Sequence, residues 1–147
     1  MTIREATIQD VPDMMKLVHE LAVYEKAGDQ VINTVEQMEI DGFGQNPLFG
    51  AYVAIIDGET IGTAIYYYRY STWKGKRLYL EDIVVTESKR GVGAGKQLFE
   101  AILAKAKESK CSGLMWQVLD WNESAIDFYK RYDADLDDSW VNCNIDF

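Results

Sequence analysis

The sequence predicts a mixed α/β domain, with helices packed on a central, mainly antiparallel sheet. Three observations carry this reading. The middle third holds β-prone runs joined by tight turns, a strand–helix–strand alternation follows it, and 48% of the residues are hydrophobic, enough to bury a core. A length of 147 residues is close to one domain, so a single domain over 1–147 is expected.

Thr2–Glu5 reads as a short first strand. Asp10 looks like an N-cap, with Pro12 in the first turn and Asp13 near the positive helix end. Val11, Met14, Met15, Val18, Leu21 and Ala22 then recur at helical spacing through Glu25, and Gly28 marks the stop. That stripe is core rather than a cofactor box. Thr34-x-x-Gln37 has the form of a capping box opening a second helix that stops near Gly42-Phe43-Gly44. Ala51–Ile56 and Thr60–Tyr70 flank Asp57-Gly58, a strong hairpin signal.

Leu78–Val85 is the next β-prone run. After the glycine-rich stretch Arg90–Gly95, helical spacing resumes over Lys96–Ser109 through Leu98, Phe99, Ile102, Leu103 and Ala106. Gly113 precedes a strand at Leu114–Leu119, Asn122 caps a helix running through Tyr132, and Trp140–Phe147 reads as a closing strand. The order is β-α-α-β-β-β-α-β-α-β, without repeats or linkers.

Composition removes several function classes. No apolar run approaches the ~20 residues of a bilayer span. Glu5 stands where a signal peptide needs an apolar stretch, so a cytoplasmic location is expected. Cys111 and Cys143 form no disulfide framework and read as two buried thiols, while His19 is the one histidine, leaving little for a metal site. Asp133-x-Asp135-x-Asp137 has the start of a calcium loop, but Asp138 replaces the required glycine and Asn144 the bidentate glutamate, so it reads as an acidic rim. A net charge of −9 disfavours nucleic acid, which needs clustered Lys and Arg. The charge is also unevenly placed. Residues 74–131 carry 11 basic and 8 acidic side chains, whereas 1–73 carry 4 and 11, and 132–147 carry none and 5. A basic middle suits an anionic ligand, and acidic flanks suit a cationic one.

The most specific local signal is Arg90-Gly91-Val92-Gly93-Ala94-Gly95-Lys96, placed between a strand and a helix. Glycines let the backbone approach an oxyanion, and the helix start offers free N–H groups and a positive dipole end. A Walker loop fails here, since Arg90 stands where its first glycine belongs and Gln97 where its Ser or Thr belongs. A dinucleotide fingerprint needs G-x-G-x-x-G after the first strand, but this turn reads G-x-G-x-G after about the fourth. Arg-x-x-Gly-x-Gly, met by Arg90, Gly93 and Gly95, resembles the pyrophosphate loop of the GNAT acetyltransferases.

The resemblance extends along nearly the whole chain: Leu21-Ala22-Val23-Tyr24-Glu25, Asp41-Gly42-Phe43-Gly44, Tyr66-Tyr67-Tyr68, Trp73-Lys74-Gly75-Lys76, Tyr79-Leu80-Glu81-Asp82, Trp121-Asn122-Glu123 and Asp127-Phe128-Tyr129-Lys130-Arg131. Together these are similar to the spermidine/spermine and thialysine N-acetyltransferase subgroup. The resemblance implies a sheet of six to seven strands with about four helices, acetyl-CoA as co-substrate without a metal, a small cationic amine (polyamine or lysine-like) as acceptor, and a homodimer. It places acetyl-CoA on Ile83, Val84 and Val85, on Arg90, Gly91, Val92, Gly93, Ala94, Gly95 and Lys96, and on Asn122 and Ser124. It gives Tyr24, Glu25 and Asp82 to the amine. The chain departs from the family where Asp133 stands in place of a usual glycine, and it stops earlier at the C-terminus. A protein of the same fold that holds acyl-CoA without turning it over is the alternative.

Acetyl transfer to an amine needs a base, because an alkyl ammonium with pKa ~10.4 is unreactive at pH 7. It also needs an acid for the departing thiolate. The resemblance places Glu81 on the strand leading into the cofactor loop, facing the acetyl group, so Glu81 is the expected base, acting through a water; acids are otherwise disfavoured in a β-prone strand. The resemblance also places Tyr129 beside the sulfur, as the expected acid. Adjacent strand residues point to opposite faces, so Glu81 and Asp82 reach one point only across a bulge.

Overall fold

The Asp57-Gly58 turn sets the centre of the sheet. In the computed structural model, which describes residues 1–147, Asp57 has φ 51° and Gly58 φ 79°, both in the left-handed region that a two-residue hairpin turn needs. β2 (Gly50–Ile56) therefore folds back on β3 (Glu59–Ser71). A second hairpin returns β3 into β4 (Gly75–Val85). β1 (Thr2–Glu5) joins the edge of β2, and β5 (Leu114–Trp116) runs parallel to β4, giving the order β1-β2-β3-β4-β5. Five strands form, fewer than the six to seven expected. The fold class is the one expected: one mixed sheet with four helices.

The chain divides into two compact units, Met1–Gln117 and Val118–Phe147. In the first, α1 (Val11–Tyr24) and α2 (Val35–Phe43) pack Val11, Met14, Met15 and Met38 against Ala51, Val53 and Ile65 of the sheet. By strand alternation Gly62, Ala64 and Tyr66 face the other way. There α3 (Ala94–Glu108) buries Leu98, Phe99 and Ile102, and a Cβ on Gly62 would lie 3.2 Å from the Leu98 side chain. Phe99 meets Trp116 edge-on at 5.4 Å.

Thr34 caps α2 by accepting the Gln37 N–H at 3.1 Å; the Gln37 amide, however, turns away from the box to Asp41 at 2.9 Å. α2 stops within Gly42-Phe43-Gly44 as expected, at Phe43 with Gly44 as its cap, and Gly42 is a close approach, since the Phe49 ring fills the space where a Cβ would sit. Asp10 precedes α1 without capping it through its side chain. Its carboxylate instead accepts from the Thr7 N–H at 2.7 Å and takes both Arg4 guanidinium nitrogens at 2.7 and 2.9 Å. That ion pair ties β1 to the start of α1.

The second unit contains α4 (Glu123–Lys130), which ends before Tyr132. Asp133 follows with φ 55°, so the aspartate occupies a left-handed position of the kind a glycine holds at no cost. The closing strand expected at Trp140–Phe147 does not form. Residues 135–147 are all exposed, and four acids spread through them work against strand pairing, while Asp137 folds back on the Ser139 N–H at 2.9 Å. Nor are the two thiols both buried: Cys111 is half-buried and Cys143 exposed.

Candidate active site

Three carboxylates gather where β4 breaks its alternation. Tyr66 pairs with Leu80 and Ile65 with Asp82, leaving Glu81 without a partner on β3. Leu80 is buried against the α3 side, so Glu81 turns to the opposite face, and the extra residue brings Asp82 round to that face as well. Glu81 and Asp82 thus line one cavity of about 290 Å³. Val18, Met38, Phe49 and Ile65 give it apolar walls, Tyr67 stands beside the acids, and Asn33 and Asp41 lie on the α2 side.

Burial raises Asp82 to about 6, helped by the negative charges of Glu81 and Glu25. Glu25, the residue that ends α1, is itself raised by burial. Glu81 and Asp82 share the cavity, and Glu25 lies near enough for its charge to act on Asp82. Tyr24 adjoins it differently: its ring lies under the Arg90 guanidinium at 5.2 Å, and both line a neighbouring cavity of about 330 Å³ with His19 and Glu87.

Beyond Leu80, β4 parts from β5. The parallel pairing covers only Leu78, Tyr79 and Leu80, so Ile83, Val84 and Val85 pair with β3 on one side and have no strand on the other. β5 ends at Trp116, short of the expected Leu119, and that early stop leaves this edge open. The chain then makes a 3₁₀ turn at Glu87–Lys89 and enters Arg90–Lys96. Gly91 (φ 85°) and Gly93 (φ 84°) bend it back, with Gly93 at the start of α3. The first N–H groups of a helix have no intrahelical acceptor, so this turn presents several donors at a positive dipole end. Residues 90–93 are exposed. Open edge and helix start together fit an extended ligand that carries amides and a diphosphate.

Asn122, Ser124 and Tyr129 belong to the second unit. Asn122 caps α4, its side-chain oxygen accepting from the Ala125 N–H at 3.4 Å and the Ser124 hydroxyl at 3.3 Å. Tyr129 is buried, with the Phe128 ring edge-on at 5.4 Å.

Among proteins of known family, the model described as the acetyltransferase (GNAT) family matches residues 14–133. The chain belongs to the GNAT acetyltransferases. Thialysine N-epsilon-acetyltransferase of Bos taurus is 42% identical over 140 residues, spanning 90% of this chain and 82% of the relative. Spermidine/spermine N(1)-acetyltransferase-like protein 1 of Homo sapiens is 35% identical over 86% of this chain and 19% of its own length. A tetramutant of the BH1408 protein from Bacillus halodurans has the same fold, with a TM-score of 0.79, 26% identity, and coverage of 99% of this chain and 100% of that one. This GNAT protein is accordingly an enzyme, an acetyltransferase, and GNAT acetyltransferases take acetyl-CoA as co-substrate. No cluster of metal-ligating side chains occurs in it, and no helix is long and apolar enough to cross a membrane.

Two residues of this GNAT site escaped sequence reading. Glu20 accepts from the Thr86 hydroxyl at 2.9 Å and the Glu87 N–H at 2.8 Å, fixing the segment between β4 and the glycine turn to α1. Tyr67, read only as part of an aromatic run, lines the same cavity as Glu81.

Proposed function

We propose that the protein is a single-domain N-acetyltransferase that moves an acetyl group from acetyl-CoA to a primary amine of a small cationic substrate, polyamine or lysine-like. The observation that carries this is the bulge that aims Glu81 and Asp82 into one cavity. Relatives named for thialysine acetylation at 42% identity support the lysine-like end of that class.

Bound acetyl-CoA supplies the acyl thioester. The turn from Arg90 to Lys96 holds the diphosphate on main-chain N–H groups, the backbone of Ile83, Val84 and Val85 pairs with the amides of the arm as an added strand would, and Asn122 and Ser124 are assigned to acetyl-CoA as well. Asp82 holds the ammonium against the apolar walls, Glu25 adds a negative charge near it, and Tyr24 serves the substrate from the second cavity. Glu81 is exposed, so it takes the amine's proton through a water and passes it to solvent. Tyr129 protonates the departing thiolate; a phenol near pKa ~10 against a thiol near ~8.5 makes this slightly uphill and feasible. Exposed Tyr70 and Trp73 near the tip of the β3–β4 hairpin support a homodimer, which sedimentation checks.

The test is a panel of polyamines, lysine, ornithine and thialysine with acetyl-CoA, reading thiol release. Transfer to at least one amine is expected, and Tyr129→Phe lowers its kcat about 100-fold while leaving the affinity for CoA within a factor of two. Tight CoA binding with no transfer to any amine establishes the acyl-CoA-holding alternative instead.

A further inference from the structure

Glu81 makes no ion pair in this structure, and as the unpaired residue of a bulge it lacks a cross-strand neighbour to orient it. A long, exposed glutamate side chain in that position has several rotamers open to it. One neighbour restricts it. Tyr67 lies directly opposite Tyr79 in the β3–β4 ladder, their rings 5.2 Å apart and tilted by 34°. Tyr79 is only 7% exposed, so it is a fixed floor for the Tyr67 ring, and the ring in turn fixes where its hydroxyl stands. Tyr67 and Glu81 line the same cavity, and the phenol stands near enough to the carboxylate to feel its charge.

We infer that Tyr67 is a positioning residue for the transfer, holding the Glu81 carboxylate at the mouth of the cavity in the orientation from which it takes the amine's proton. The inference rests on the acetyltransfer reading above. The phenol is suited to this task because it stays a donor: burial first, and then the nearby charge of Glu81, push Tyr67 up to about 12, so it keeps its proton at neutral pH. A misplaced base costs turnover more than binding, since proton removal falls off within a fraction of an ångström of hydrogen-bond reach.

The decisive variant is Tyr67→Phe, which keeps the ring on Tyr79 and removes only the oxygen. The expected result is a kcat about tenfold lower, with KM for acetyl-CoA unchanged and the melting temperature close to the parent's. Tyrosine-selective ¹³C NMR gives a readout independent of turnover: in Glu81→Gln, the Tyr67 Cζ resonance titrates at lower pH than in the unmodified protein. A Tyr67→Phe enzyme as fast as an active parent, or a Tyr67 titration indifferent to Glu81→Gln, overturns the role of Tyr67 alone. A parent protein inert toward every amine of the panel overturns the acetyltransfer reading, and this inference with it.

Discussion

Asp10 and Asp82 show how two aspartates in one chain are driven in opposite directions. The Arg4 guanidinium bonded to Asp10 holds that carboxyl below its ordinary range against the opposing effect of burial. Its contribution is therefore complete above the ordinary carboxylate pKa of about 4 and is lost as pH falls through the lower, folded value. Asp10→Asn is expected to cost about 2 kcal/mol at pH 7, and less at pH 3, in urea titrations. Asp82 lies the other way. Raised to about 6, it is protonated below that pH and cannot pair with an ammonium, so kcat/KM for an amine falls on the acid side with a midpoint near 6. Glu25→Gln removes one of the two like charges but leaves the burial that dominates, and the midpoint moves down by about 0.5 pH. An unmoved midpoint places the titration on another group. Neither environment is visible in the sequence, because Arg4, Thr7 and Asp10 meet through a turn, while Glu25 at the end of α1 is brought near Asp82 of β4 by the packing of helix on sheet.

Among the elements, the glycine turn separates backbone need from ligand need. Gly93 has φ 84° with open space where a Cβ would stand, whereas Gly95 has ordinary φ and a Cβ there would meet Val85 at 3.8 Å, a normal contact. Gly93→Ala is expected to lower stability by about 1 kcal/mol through backbone strain alone, a fall of about 3 °C in Tm. Gly95→Ala keeps the parent's Tm and raises KM for acetyl-CoA, because a methyl group now stands where the backbone is proposed to approach the diphosphate. Equal Tm values for the two variants count against the turn as described. Signals that act over a few residues were readable: the Asp57-Gly58 hairpin, the Thr34 cap, the Asn122 cap and the α1 and α3 stripes all appear where the residues ask for them. Trp140–Phe147 has the composition of a strand but finds no strand to pair with, and composition says nothing of pairing. Glu20 stayed hidden for the same reason, since its partners lie 66 and 67 positions away. The bulge was legible only as a requirement that Glu81 and Asp82 imposed; its place in the ladder needed the register.

For the molecule as a whole, a net charge of −9 acts on the two proposed substrates in opposite ways. A cationic amine is drawn toward the protein and acetyl-CoA is repelled by it, except near the basic residues 74–131. Raising ionic strength from about 0.01 to 0.3 M shortens the Debye length from about 30 to about 6 Å. It is expected to lower kcat/KM for a dicationic amine several-fold and to leave that for acetyl-CoA level or slightly higher. A fall of equal size for both substrates rules out steering by the acidic flanks. The charge asymmetry was plain in the sequence, and so was the class of fold. What the sequence withheld was the early stop of β5 after three residues, which turns the inner edge of β4 into an open one.

The residue with no opposite number in the β3–β4 ladder has an unusual status. Removing Glu81 altogether would leave Tyr66 against Leu80 and Ile65 against Asp82 in unbroken succession, so the hairpin closes without it and Asp82 keeps its orientation. The proposed base behaves as a graft of one codon onto scaffolding already complete. A chain shortened by that codon should fold, hold its amine and do nothing to it.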